Sequence, residues 1–183
     1  MSANTPDDIL IARVLKGETS SFKMLVERYQ NLVFTIAFRI TNNREEAEEV
    51  AQDVFMKVYS GLGGFEGTAK FSSWLYRITY NTALTKIRNR KEAFKDLDYL
   101  GGAENSAISP PVLNEAEQIF TRDYLNQAIN MLEPEEAAMI SLFYLSEQSL
   151  DEIAGILNIE VNAAKVRLHR ARKKLREKME LIG

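Results

Sequence analysis

Residues 149–176 constrain this chain more than any other stretch. Ser149 followed three residues later by Glu152 is a capping-box pattern, so a helix is expected to start there. Ile153, Ile156 and Leu157 give that helix one apolar face, and Ala154 and Gly155 are small enough to let a second helix approach. Asn158 tolerates the left-handed conformation that ends a helix. Ile159 and Val161 are expected to plug the gap, and a second helix to run from about Asn162, burying Ala164, Leu168, Ala171 and Leu175. Left outside are Lys165, Arg167, His169, Arg170, Arg172, Lys173, Lys174 and Arg176. A capped helix, a tight turn and a cationic helix are the layout of a helix-turn-helix, whose second helix enters the DNA major groove. Lys165, Val166, His169 and Arg170 share a face near its N-terminal end, where base edges are read. The later cations, Arg172 and Lys173 among them, suit phosphates. A basic helix that merely caps a bundle explains the cations, but not their arrival with a capped helix and a tight turn.

The chain has 183 residues, enough for one domain or two small ones, and 45% are hydrophobic. No long uncharged apolar run is present, so neither a membrane span nor direct membrane insertion is expected. The first residues lack the basic and apolar regions of a signal peptide. Cysteine is absent, which excludes disulfides and thiolate metal sites and fits a cytoplasmic location. The net charge of −3 hides segregation: residues 1–95 are slightly cationic, 96–133 strongly acidic, and 165–178 cationic apart from Glu177. Two cation-bearing regions around an acidic spacer are the electrostatic footprint of a protein that touches DNA at two places.

Nearly everything else reads as helix, and the expected class is all-α, with two small helical domains joined by a flexible linker. A first helix is expected after Thr5 as cap and Pro6 in its first turn, ending near Gly17. A second is expected to start after Thr19 or Ser20 and run to about Ile40. Asn42 or Asn43 caps a third, which ends in the 61–64 glycine stretch, and a fourth spans about 71–93. Residues 96–112, with paired glycines and paired prolines, read as an acidic linker. A helix is expected over about 114–131, and Pro134 opens the next, ahead of the helix-turn-helix.

A second informative run lies on the third and fourth helices. Ala47, Val50, Ala51, Val54, Phe55, Val58 and Leu62 repeat as a core stripe, while Glu48, Glu49, Gln52 and Asp53 project as an acidic ridge, a poor DNA surface but a good partner for a basic protein groove. The fourth helix is aromatic early and basic late. Aromatic faces stack on unpaired bases and cations follow the backbone. Phe71, Trp74, Leu75 and Ile78 are readily explained as core. Tyr76, Arg77, Tyr80 and Asn81 are explained less well by burial alone.

These two runs resemble the extracytoplasmic-function (ECF) group of bacterial sigma factors. Glu46 to Phe55 is similar to the family's acidic D-A-E-D-L-x-Q-E-x-F run, and Phe71 to Asn81 to its F-x-x-W-L-Y-R-I-A-x-N run. Asp151 to Ala154 and Arg167 to Arg172 match its E-E-I-A and R-L-H-R-A-R elements. The resemblance implies a region 2 domain over 1–95, a linker over 96–112 and a region 4 domain over 113–183. It implies that Glu49, Gln52 and Asp53 dock on the β′ clamp helices of core RNA polymerase, and that region 4 meets the β flap. Phe65, Lys70, Tyr76, Arg77 and Asn81, with Arg88 further along, would melt and read the promoter −10 element. Lys165, Val166, His169 and Arg170, with Arg172 and Lys173, would engage the −35 element. It implies an anti-sigma factor as a further partner, no cofactor, no metal and no enzymatic activity. Ala163 and Val166 stand where the family often has threonine and serine, so a shifted −35 preference is expected. Two other readings remain open: a stand-alone helix-turn-helix regulator, and a sigma mimic that titrates an anti-sigma factor. An enzyme is disfavoured, because the sole histidine, His169, sits among cations and the acidic ridge lacks histidine partners for a metal.

Overall fold

A computed structural model describes residues 5–97 and 124–182, the side chains of 94–97 excepted. All regular structure among them is helical. The N-terminal half consists of α1 (Asp7–Leu15), α2 (Thr19–Thr41), α3 (Arg44–Gly61), a 3-10 turn (Leu62–Gly64) and α4 (Phe71–Leu97). The C-terminal half holds the helical residues 124–130, labelled α5, then α6 (Pro134–Tyr144), α7 (Leu150–Leu157) and α8 (Val161–Ile182). The linker expected over 96–112 lies outside the described residues, apart from its first two, which still belong to α4. The first part of the helix expected from 114 also lies outside them.

Local chemistry accounts for the boundaries. α1 begins one residue later than expected: Pro6, not Thr5, occupies the cap position, and no side chain caps the helix. Asp7 instead turns toward α2, accepting from Arg28 and from the Tyr29 hydroxyl. Both asparagines between α2 and α3 are used. Asn42 takes the left-handed conformation (φ 49°) that ends α2, and the Asn43 side chain accepts from the Glu46 N–H at 3.0 Å to open α3. Asn158 likewise closes α7 at φ 54°.

α2, α3 and α4 pack around Leu25, Val33, Ile36, Val50, Val54, Val58 and Leu75, all essentially inaccessible to solvent. The expected stripe of α3 is therefore its core face. In the C-terminal half, Met139, Leu142, Ile153 and Ile156 close over Ala164, Leu168 and Ala171 of α8. The two buried sets are continuous, so the halves share one core. α6 leans on α2 and α7 on α4.

Three local expectations are corrected. Val161 is 40% exposed and plugs no gap; Ile159 alone packs against the core. Gly155 does not serve close approach within the helix pair, since a Cβ added there would meet nothing within 4 Å. Tyr76 and Tyr80 are 2% and 5% exposed, so burial does explain them.

Candidate nucleic-acid interface

The helix-turn-helix is built as its residues require. Ser149 Oγ accepts from the Glu152 N–H at 3.2 Å, and Glu152 returns the bond to the Ser149 N–H at 2.8 Å. An eight-residue helix is too short to hold itself, and this box fixes its first turn. α8 then buries only Ala164, Leu168 and Ala171 fully and turns the rest of its length outward. Lys165, Val166, His169 and Arg170 are exposed on one face, as expected. Among the described residues, Lys165, His169 and Arg170 make no ion pair or side-chain hydrogen bond.

The other cations of α8 divide differently from expectation. The Arg172 guanidinium lies 4.8 Å from the Phe143 ring centroid and 5.4 Å from that of Tyr144, so it stacks on the end of α6. Arg167 reaches Glu135 at 3.4 Å and Lys174 reaches Glu136 at 2.6 Å, tying α8 to the first turn of α6. Lys173 remains exposed beside Glu177 at 3.9 Å. The glutamates after Pro134 signalled a helix start in the sequence; their pairing with α8 was not legible there.

On the N-terminal half, Phe65 is half-buried and packs its ring 5.1 Å from Trp74 and 5.9 Å from Phe71. The cluster continues to Tyr29 and, behind it, Tyr76. Burial pushes the Tyr76 phenol well above its ordinary range, with Asp7 adding to the effect. Tyr76 is thus a core residue of α4 and is withdrawn from the nucleic-acid set. Arg77, Asn81 and Arg88 are exposed and recur at helical spacing on one face of α4.

Phe65, Lys70, Trp74 and Arg77 form one wall of a cleft of about 670 Å³, and Asp151, Glu152 and Gly155 of α7 form the other. Lys70 Nζ crosses it to Glu152 Oε1 at 2.7 Å. That ammonium, ahead of the capping-box bonds, holds the Glu152 carboxyl below the usual carboxylate range. Ser73, which also lines the cleft, donates from Oγ to Gln148 Oε1 at 2.8 Å in a buried position.

The acidic ridge is exposed as expected, but its members differ. Glu49 is held by Lys86 of α4, and that contact raises the lysine's pKa. Glu48 pairs with Arg44 at 3.0 Å. Gln52 and Asp53 have no such partner among the described residues. The ridge runs on into Met56 (71% exposed) and Tyr59 (49%), an apolar end that the acidic pattern alone did not indicate. An exposed methionine one turn beyond Gln52 was the available signal.

A helical platform carrying aromatic and cationic side chains, joined to a helix-turn-helix with a free cationic face, defines a transcription protein of the helix-turn-helix class. The family models agree: Sigma-70 region 2 matches residues 25–93 and Sigma-70 region 4 matches residues 122–175. The ECF RNA polymerase sigma factor SigW of Bacillus subtilis is 32% identical over 92% of this chain and 94% of its own. The ECF RNA polymerase sigma-E factor of Escherichia coli is 33% identical over 98% and 97%. The solved sigma factor RpoE of Bartonella quintana, in complex with the anti-sigma factor NepR, matches 87% of this chain and 96% of its own at 25% identity, with a TM-score of 0.74. CnrH, solved with the cytosolic domain of CnrY, shares the fold at a TM-score of 0.68 over 97% of this chain and 99% of its own. The chain belongs to the ECF RNA polymerase sigma factors.

Proposed function

We propose that this sigma factor engages core RNA polymerase and promoter DNA through three separate surfaces. Gln52 and Asp53, flanked by Glu49, dock on the polymerase β′ clamp helices, with Met56 and Tyr59 supplying an apolar end to that contact. Phe65, Lys70, Arg77, Asn81 and Arg88 receive the −10 element. Lys165, Val166, His169 and Arg170 read the −35 element in the major groove, with Lys173 on phosphate; Arg172 acts by holding α8 against α6. The domains are assigned as 1–95 and 113–183, joined by 96–112.

The observation that carries this reading is the free cationic face of α8 behind a capped helix and tight turn. An aromatic and cationic stripe on α4 lies in the same chain. Trapping unpaired bases offsets an unstacking cost of a few kcal/mol. Two weak DNA sites on one body gain from effective concentration once polymerase spaces them. The role is non-enzymatic and cytoplasmic, where polymerase and promoter are; among the described residues no helix is long and apolar enough to cross a membrane. A relative solved with an anti-sigma factor supports a partner of that kind here.

The test is transcription by core polymerase with the purified chain on a promoter library. New start sites with shared −10 and −35 elements are expected, lost on Gln52→Ala or Asn81→Ala. Tight polymerase binding without transcription marks a mimic. Salt-sensitive duplex binding without polymerase binding marks a stand-alone regulator.

A further inference from the structure

Arg167, Arg170 and Lys174 stand three and four residues apart on α8, so they form one row along the helix. The outer two already hold carboxylates from the first turn of α6. Arg167 donates to Glu135 at 3.4 Å, and Lys174 donates to Glu136 Oε1 at 2.6 Å. Arg170, between them, makes no ion pair among the described residues. Glu136 has an oxygen to spare: its Oε2 is buried and finds no hydrogen-bond partner among those residues. A buried carboxylate oxygen left unpaired is unfavourable, and such atoms are uncommon in folded proteins. Glu136 and Arg170 line the same cavity of about 170 Å³, together with the apolar Met139 and Leu157. A free acceptor and a free donor group thus border one small space.

Arg170 also belongs to a second row. With Val166 and His169 it is exposed on the face assigned to the −35 bases. It therefore stands where the reading face meets the edge paired with α6. A guanidinium has five N–H donors in a rigid fork, enough for a carboxylate on one edge and a base on the other. The base that takes an arginine edge in the major groove is guanine, through O6 and N7. Carboxylates beside a DNA-reading face repel phosphates and lower affinity for every sequence alike. What can offset that loss is better discrimination between sequences, which requires the reading side chain to be held in one orientation.

We propose that Glu136 is a positioning residue for −35 readout: on DNA its free oxygen takes one edge of the Arg170 guanidinium and turns the other edge to a guanine. The proposal deepens the assignment of Arg170 to the −35 element and rests on it. Glu136 touches no base in this scheme. It acts from α6, through Arg170, while Lys174 keeps its other oxygen fixed.

The test uses the full chain bound to core polymerase and a −35 duplex recovered from the promoter library. Each guanine is replaced in turn by 7-deazaguanine, which lacks the N7 acceptor. At the contacted guanine the parent is expected to lose at least about fivefold in affinity, and Arg170→Ala to be indifferent to the replacement. Glu136→Gln should shrink that loss below about twofold, and at the same time hold or raise affinity for unrelated duplex, because a negative charge has gone. A carboxylate that only stabilised the helix pair would weaken all duplexes together and leave the guanine loss unchanged. Glu136→Asp keeps the charge but draws the oxygen back by one methylene, and should shrink the loss as well. Glu135→Gln, whose carboxylate serves Arg167, controls for charge and should keep the full loss. Full guanine loss in either folded Glu136 variant overturns the proposal. If Arg170→Ala itself keeps the full loss at every guanine, the −35 assignment of Arg170 has failed, and the proposal falls with it.

Discussion

The two halves of this molecule are built in opposite ways, and on the proposed reading they meet nucleic acid differently. The N-terminal half is a platform: three long helices bury whole apolar faces, and an aromatic cluster from Tyr29 through Phe71 to Trp74 stiffens the end that carries Phe65 and Arg77. The C-terminal half is an arm. α7 has eight residues, and α8 sends most of its 22 into solvent over a small core. On the proposed reading the platform receives unpaired bases and the arm inserts into an intact groove. The cations, by contrast, divide within each half, the arm committing Arg167 and Lys174 to Glu135 and Glu136. On the platform Lys86 and Arg90 are committed to Glu49 and Glu46, whereas Lys165, His169 and Arg170 on the arm are uncommitted.

The largest expected effect tests the platform. Leu75→Ala, fully buried in α4, should cost about 3 kcal/mol by urea unfolding; a loss well under 1 kcal/mol would mean the half is not tightly packed. Alkali probes the same packing. Burial raises Tyr80 to about 12, with Glu135 contributing, and raises Tyr29 and Tyr76 further. In the folded chain these phenols keep their protons to higher pH than in the unfolded chain. Their contribution is therefore whole below about pH 10 and is lost as the pH climbs toward 12. Tyr80→Phe should flatten part of that fall in a pH series of melts.

The arm offers finer tests. Lys165→Ala with Arg170→Ala should weaken −35 duplex binding by roughly tenfold and relax its sequence specificity, whereas Lys173→Ala should reduce the salt slope by about one. Arg172→Ala should leave that slope nearly unchanged while lowering stability, because its guanidinium is stacked on Phe143 and Tyr144. Equal slope changes would erase the division drawn within α8. Ser149→Ala should cost about 1 kcal/mol in thermal unfolding through loss of the capping box. The smallest effect falls on Val166, 49% exposed on the reading face. The thymine methyl is the apolar group it can meet in the major groove. Replacing thymine by deoxyuridine at the contacted −35 position should weaken binding about fourfold, and Val166→Ser should remove the sensitivity.

The sequence by itself determined the helices, their caps and most of their faces. The Ser149–Glu152 box, the Asn43 cap, the Asn158 stop and the buried stripes of α3 and α8 all follow from interactions within about four residues, which a pattern records. It also placed the exposed faces of α3 and α8 correctly, since periodicity separates inside from outside. Only the tertiary structure decided which polar groups on those faces are free. Glu49 looked like Gln52 and Asp53 until α4 brought Lys86 to it, and Arg172 looked like Lys173 until α6 brought two aromatic rings. Tyr76 and Tyr80 had the look of exposed, base-stacking residues, yet packing from distant parts of the chain buries both. The closure of α7 over Lys70 and Ser73 had no sequence signature at all. It joins residues some 75 or more positions apart through contacts that no local pattern encodes, because long-range pairing depends on how whole faces fit together.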